Sequence, residues 1–378
     1  MEQTKETKSK EENDMKKTDI STIRLNNQQI ATTKFNAVKD LVGWMGVMQA
    51  QDYAMAKWAI GVRLPNTTDQ AVETAITNGE ILRTHLLRPT WHFVSADDIR
   101  WMLELTARRV KAFMKSSHEE HELSGTIFNK SKVIMEKALR GGNHLTREEI
   151  RVELTEAGID NNYYRLSHLL AWAELDGLVC SGSTKEGKPT YALLEERVLK
   201  TKPLTKEEAL AALAKKYFSS HSPATLQDFA WWSGLPAGDA NLALELVKPD
   251  FISEEIDSQT YWSAIPFSIP KKDKEAVYFL PAYDEFIISY KDRSASLPFE
   301  NHTKTVSNNG IFRPVIVVNG QVTGIWKRTI KKDKVIVETE FFKQPNQIQN
   351  SLIEKAANQF GHFIELKTEI NQYFNQPD

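Results

Sequence analysis

The chain of 378 residues is 41% hydrophobic and 26% charged, the balance of an ordinary globular protein with material for about two to four modules. Its single cysteine, Cys180, excludes an internal disulfide and points to a reducing compartment. No signal-peptide or membrane-span stretch is present, so a cytoplasmic location is expected, and a net charge of −2 carries no global mark of a polyanionic partner. Local balance says more: between residues 83 and 115, Arg83, Arg88, Arg100, Arg108, Arg109, Lys111 and Lys115 face only Asp97, Asp98 and Glu104. Such a run is either a basic binding face or a solvated helix face.

Residues 1–20 are dense in both signs of charge and poor in large apolar side chains, which predicts a disordered tail. A first, winged-helix-like module is expected over 21–130. Its centre is Met48-Gln49-Ala50-Gln51-Asp52, polar groups that interrupt an apolar helical pattern and so must be paired or have a task. Asp52 is suited to cap the helix predicted over 53–63. The two amides share a face only if their segment is extended or irregular. Thr68 and Gly79 bracket another helix, residues 81–94 look like two short strands, and Ser95-Ala96-Asp97-Asp98 starts a helix to about residue 113.

Residues 131–200 spell three helices and a hairpin, the order of a winged helix. Its third helix, about 161–176, would enter a major groove with Asn161, Asn162, Tyr164, Arg165 and His168, while Lys185 and Lys188 lie in the wing. The order recurs over 201–270, where Asp239, Glu245, Glu254 and Glu255 make the reading face acidic and the unit structural. From 271 to 378 the texture is β. Strands are expected over 277–280, 285–289, 311–318, 321–326 and 335–342, with a type I′ turn at Asn319-Gly320 and a helix over 347–360. The predicted fold is α+β, tandem winged helices followed by a small C-terminal β-barrel or curled sheet.

Met48-Gln49-Ala50-Gln51-Asp52, Leu82-Arg83-Thr84, Arg88-Pro89-Thr90-Trp91-His92, Tyr283-Asp284-Glu285, Gly310-Ile311-Phe312-Arg313-Pro314, Asn319-Gly320 and Gly324-Ile325-Trp326 occur in this order. Over about residues 21–345 the chain thereby resembles the AlkZ/YcaQ-type winged-helix DNA glycosylases. The resemblance implies tandem winged helices with a C-terminal β-barrel, excision of alkylated bases, especially N7-alkylated purines, and for some members unhooking of crosslinks. Gln49 and Gln51 match the glutamine–apolar–glutamine motif of the AlkZ-like branch; the YcaQ-like branch has aspartate in the second polar place. Some relatives have glycine where this chain has Pro89.

The chemistry is reasonable on first principles. An N7-alkylated purine is cationic and departs neutral, so no strong general acid is needed. A glutamine carbonyl can hold the attacking water, and its dipole favours an oxocarbenium-like sugar. Gln49, Gln51 and Asp52 are therefore the catalytic candidates, Asp52 alternatively as base, charge stabiliser or plain cap. Arg83, His85, Arg88, His92, Arg165, His168, Lys185 and Lys188 are the candidates for contact with DNA. On the proposed hairpin Arg88 and His92 point the same way, toward phosphate or lesion, unless His92 is a core histidine and Arg88 pairs with a carboxylate such as Asp97. Trp91 and the pair Trp231-Trp232 read as packing, although one exposed ring of the pair could stack on a base. His118-Glu119-Glu120-His121 lacks zincin spacing, and no cofactor or metal is expected. The expected protein is a monomeric, monofunctional DNA glycosylase of base excision repair acting on double-stranded DNA with alkylated bases, without membrane or obligate protein partner. The alternatives are a non-catalytic winged-helix DNA-binding protein, such as a transcriptional regulator, and a protein-interaction scaffold.

Overall fold

The computed structural model describes residues 15–266 and 275–374. The expected disordered tail needs correction at its end: helix α1 (Lys17–Asn27) already begins there, because Ile20 is fully buried against Ile256, Tyr261 and Ala295. Residues 1–14 lie outside the described residues.

The first module runs α2 (Val38–Met45), β1 (Val47–Gln49), α3 (Tyr53–Gly61), α4 (Asp69–Thr77), β2 (Ile81–Leu86) and β3 (Arg88–Ser95), with strand order β1-β3-β2. Leu87, at φ 58°, makes the tight turn between β2 and β3. Helices α5 (Ile99–Phe113) and α6 (Lys115–Glu120) lead to a second unit of the same order: α7 (Gly125–Leu139), β4 (Leu145–Thr146), α8 (Arg147–Glu156), α9 (Tyr163–Leu175), β5 (Val179–Ser181) and β6 (Thr190–Leu193), strands β4-β6-β5. Ser124 caps α7, so this unit starts before residue 131. After the one-turn α10 (Leu194–Arg197) the order recurs in α11 (Lys206–Ser220), α12 (Leu226–Ser233), α13 (Ala237–Val247), β7 (Ile252–Ile256) and β8 (Gln259–Ser263). The short first strand is here reduced to Ala224, whose backbone pairs with Trp262 of β8. In each unit a helix is followed by a short strand or bridge that pairs with the returning strand of the hairpin.

The C-terminal region comprises β9 (Val277–Leu280), α14 (Glu285–Ile288), α15 (His302–Thr305), β10 (Val315–Val318), β11 (Gln321–Ile330), β12 (Lys334–Phe341), α16 (Gln347–Phe363) and β13 (Lys367–Phe374). The five strands are ordered β13-β12-β11-β10-β9, so the sheet is open and the expected barrel is a sheet with two edges. The crossover through α16 makes β13 parallel to β12, while Phe360 and Phe363 pack their rings on Trp58. Residues 285–288, expected as a strand, are a helical turn because Asp284 caps Phe286. Asn319 and Gly320 both take positive φ, as a type I′ turn demands.

The first sheet lies between two cores. One joins it to the C-terminal region through Met48, Phe93, Phe279 and Phe286; the other joins it to the third unit through Val47, Val94, Tyr217 and Trp232. The second unit keeps a core of its own. Strand β1 therefore sits where three parts of the chain meet. Among the described residues no helix is long and apolar enough to cross a membrane.

Candidate active site

Gln49 ends β1, the outer strand of the first sheet, opposite His92 of β3. The ladder bond nearest to it is one residue on, from Ala50 N–H to the Trp91 carbonyl at 2.7 Å. Antiparallel pairs alternate, so the Gln49 N–H turns away from β3 toward the free edge. There it donates to Glu285 Oε1 at 2.7 Å. The Gln49 side chain is buried, and its Oε1 accepts from Arg88 Nη2 at 3.2 Å.

Glu285 is itself buried. Its other oxygen accepts from Trp232 Nε1 at 3.3 Å and from the Ser289 hydroxyl, and lies 3.7 Å from His221 Nε2. Burial raises its pKa, but His221, Ser289 and the Gln49 N–H outweigh that and hold it at about 2, so the carboxylate is ionised. The preceding Asp284 forms a fully buried two-pronged pair with Arg63, at 2.8 and 2.9 Å. Arg63 also donates to the Gln28 carbonyl at 2.9 Å and to Gln28 Oε1 at 3.0 Å, and Gln28 donates to Tyr290 Oη at 2.9 Å. Sequence reasoning missed Glu285, Arg63 and Gln28 as parts of the site. The signal for Glu285 was present, since an acid pair ahead of the apolar run Phe286-Ile287-Ile288 needs a partner once buried.

Gln51 is exposed, two residues from the buried Gln49. The carbonyl of the intervening Ala50 accepts from Arg83 Nε at 2.9 Å. Asp52 is the N-cap of α3, accepting from Met55 N–H at 3.1 Å, and stands 3.9 Å from Arg328. Beside it opens a cleft of about 500 Å³ lined by Met55, Pro314, Trp326, Lys327, Arg328 and Ile330. A larger cleft, about 590 Å³, runs between α5 and the starts of α11 and α13 and includes none of the motif residues.

Several residues expected to contact DNA lie inside the protein instead. His92 is fully buried; its Nδ1–H donates to the Thr90 carbonyl at 3.0 Å, which leaves Nε2 as a bare acceptor without a partner. Burial, then the Arg88 charge, push its pKa down to about 3. Arg88 takes Gln49 rather than phosphate, and Asp97 pairs with Lys39 at 2.7 Å rather than with Arg88. Buried atoms without partners gather on this strand face: Thr84 Oγ1, Arg88 Nε, Thr90 Oγ1 and His92 Nε2. His85 is bound by Glu174 of α9 and packs on Trp91 with centroids 4.5 Å apart. The Arg83 guanidinium lies 4.3 Å over the Trp91 ring.

On α9, Arg165 is turned inward, giving Nε to the Asp160 carbonyl at 2.8 Å and Nη1 to the His121 carbonyl at 2.5 Å. His168 is half-buried between His118 and His121, with ring centroids 5.0 and 5.4 Å away. At its start the helix exposes Tyr163 and, as expected, Tyr164 and the capping Asn162, while Asn161 is buried. The wing lysines keep the expected place as well: Lys185 pairs with the half-exposed Glu149, and Lys188 is exposed across the same turn. The basic run does not form one face, because Arg100 caps the carbonyl of Val198 and Lys111 pairs with Asp176. A cationic aromatic patch does form elsewhere. Trp231, 38% exposed, fixes its indole N–H on the Ile288 carbonyl at 2.9 Å, with Lys291 and Arg293 at 5.0 and 5.4 Å from its ring.

A family model described as DNA glycosylase AlkZ-like matches residues 42–363. The chain is similar to an interstrand DNA cross-link repair glycosylase of Streptomyces sahachiroi, 21% identical over 343 residues that cover 85% of this chain and 89% of the relative. It is also similar to the solved structure of the Streptomyces sahachiroi DNA glycosylase AlkZ, with a TM-score of 0.74 at 17% identity over 94% of this chain and 99% of that one.

Proposed function

The chain belongs to the DNA glycosylase AlkZ-like family, and from that membership we propose that it hydrolyses the N-glycosidic bond of purines alkylated at N7, including bulky and crosslinked ones, in duplex DNA. As a DNA glycosylase of DNA repair it is a hydrolase. Water attacks the sugar C1′, the bond from C1′ to the purine N9 breaks, the electron pair leaves with the base, and the proton of the water passes to solvent. Because the cationic base departs neutral, the protein has only to place the water and favour a cationic sugar.

Gln49 carries this reading. A glutamine held at its backbone N–H by Glu285 and at its side-chain Oε1 by Arg88, two residues from the exposed Gln51, is a fixed acceptor for one water. Gln51 is the second acceptor. Asp52 holds the start of α3 and, with Arg328, balances charge at the cleft mouth. We read the three repeated units as tandem winged helices and the open C-terminal sheet as a curled half-barrel around a duplex. Contact with DNA falls to the Lys185–Lys188 wing, to Lys327 and Arg328, and to the Trp231 patch. The test is incubation of the protein with duplexes carrying N7-methylguanine, a bulky N7 adduct, an interstrand crosslink or no lesion. Released base and an uncleaved abasic strand are expected only from the modified duplexes. Tight, salt-dependent binding with no release from any of them would make the protein a non-catalytic DNA-binding member.

A further inference from the structure

The outer edge of a sheet normally leaves its N–H groups to water or to a neighbouring strand. At Gln49 that N–H is taken by the carboxylate of Glu285, 236 residues away in sequence. A neutral acceptor would satisfy one amide proton. A buried, ionised carboxylate is a costly choice for a plain cap, because the charge must be taken out of water.

We infer that Glu285 is a positioning residue for the excision step, fixing Gln49 by its backbone while Arg88 fixes it by its side chain. This rests on the reading of Gln49 as the water-holding amide. The arrangement distributes the two carboxylate oxygens by task. Oε1 takes the Gln49 N–H, and Oε2 is anchored by Trp232 Nε1 and the Ser289 hydroxyl, so the acid cannot turn away from the strand. Asp284 stiffens the same turn from the other side by clamping Arg63. Arg88 donates to Gln49 Oε1 and so holds the amide oxygen in place. A carbonyl oxygen has two lone pairs, and the one not used by Arg88 stays available for water. The third unit touches Glu285 through Trp232 and His221. Tyr283-Asp284-Glu285 acquires a role as a bracket behind the glutamine motif.

The test compares the full-length protein with Glu285→Gln, Glu285→Ala, Arg88→Lys and Gln49→Ala. Three quantities are read for each: the single-turnover rate of N7-methylguanine release, the affinity for the same duplex, and the thermal midpoint. Glu285→Gln keeps the volume and an acceptor oxygen, so it should fold like the wild type, bind the duplex within about twofold and release base roughly tenfold more slowly. Glu285→Ala should be slower still, and fast hydrogen exchange at the Gln49 amide should accompany the loss. Wild-type rates in Glu285→Gln and Glu285→Ala, while Gln49→Ala is dead, would overturn the inference and leave the glycosylase intact. So would a loss of rate matched by an equal loss of duplex affinity. Absence of release by the wild type itself would remove the premise, and the positioning role would fall with it.

Discussion

Gln49, His92 and Glu285 illustrate how a residue type flagged by sequence acquires its chemistry from distant partners. The glutamines stood out because amides interrupt an apolar pattern, and the side-sharing of Arg88 and His92 followed from strand alternation. Where that side faces did not follow: it points inward, onto Gln49, because the first sheet is covered by the third unit and the C-terminal region. That Glu285 needs a buried partner was legible from its own neighbours; that the partner is Gln49 was not, since nothing near Gln49 in sequence points 236 residues along the chain. The buried His92 has a consequence for pH. Its pKa in the folded protein, about 3, lies well below that of an exposed histidine. Between about pH 6.5 and pH 3 the unfolded chain therefore binds a proton that the folded state refuses, and stability falls as pH falls through that window. His118, pushed down to about 4 chiefly by burial, acts in the same direction. In urea unfolding at about pH 7 and about pH 4.5, His92→Asn should lose less stability on acidification than the wild type. An equal loss in both would mean that His92 is protonated when folded.

Element boundaries were legible where capping chemistry marked them. Thr68, Thr146, Thr205 and Thr225 each cap the helix that follows, and all four are visible as sequence signals. Two elements were misjudged for physical reasons. Residues 286–288 are apolar and the whole turn from Glu285 to Ile288 is buried, so periodicity could not separate a helical turn from a strand. Strand β13 went unseen because Lys367-Thr368-Glu369-Ile370-Asn371-Gln372 is polar on both faces; it is held by parallel pairing to β12, which only the α16 crossover makes possible. In α9 the helix itself was foreseen, but α6 and His121 cover the side from which Arg165 was expected to read bases. Asp52 has an element-level role that can be separated from chemistry. Asp52→Ala should cost about 1 kcal/mol of stability through loss of the α3 cap, whereas Asp52→Asn keeps the cap and most of the stability. If base release collapses in Asp52→Asn at unchanged stability, Asp52 is catalytic rather than a cap.

At the scale of the whole molecule, the modular order was read from repeated helix–helix–helix–hairpin signals, and that order is present. What the order did not reveal is that the first sheet has no core of its own and is completed by parts of the chain more than a hundred residues away. The Arg63–Asp284 pair is the clearest joint, fully buried and satisfied at both ends. Asp284→Asn leaves Arg63 with an uncompensated buried charge and should destabilise the protein by about 3–5 kcal/mol in denaturant unfolding. Replacing both partners by apolar residues should cost less than that single change. A small effect of Asp284→Asn would mean that the C-terminal region docks loosely on the first module. The same turn carries Glu285 to Gln49. The most direct measurement is single-turnover release of N7-methylguanine from duplex DNA by the wild type, Gln49→Ala and Gln51→Ala, with duplex binding measured alongside. Release by the wild type that falls by about 100-fold or more in both variants, at unchanged binding, is the expected result for amides that place the water. Wild-type release rates in both variants would contradict it and move the chemistry to another group.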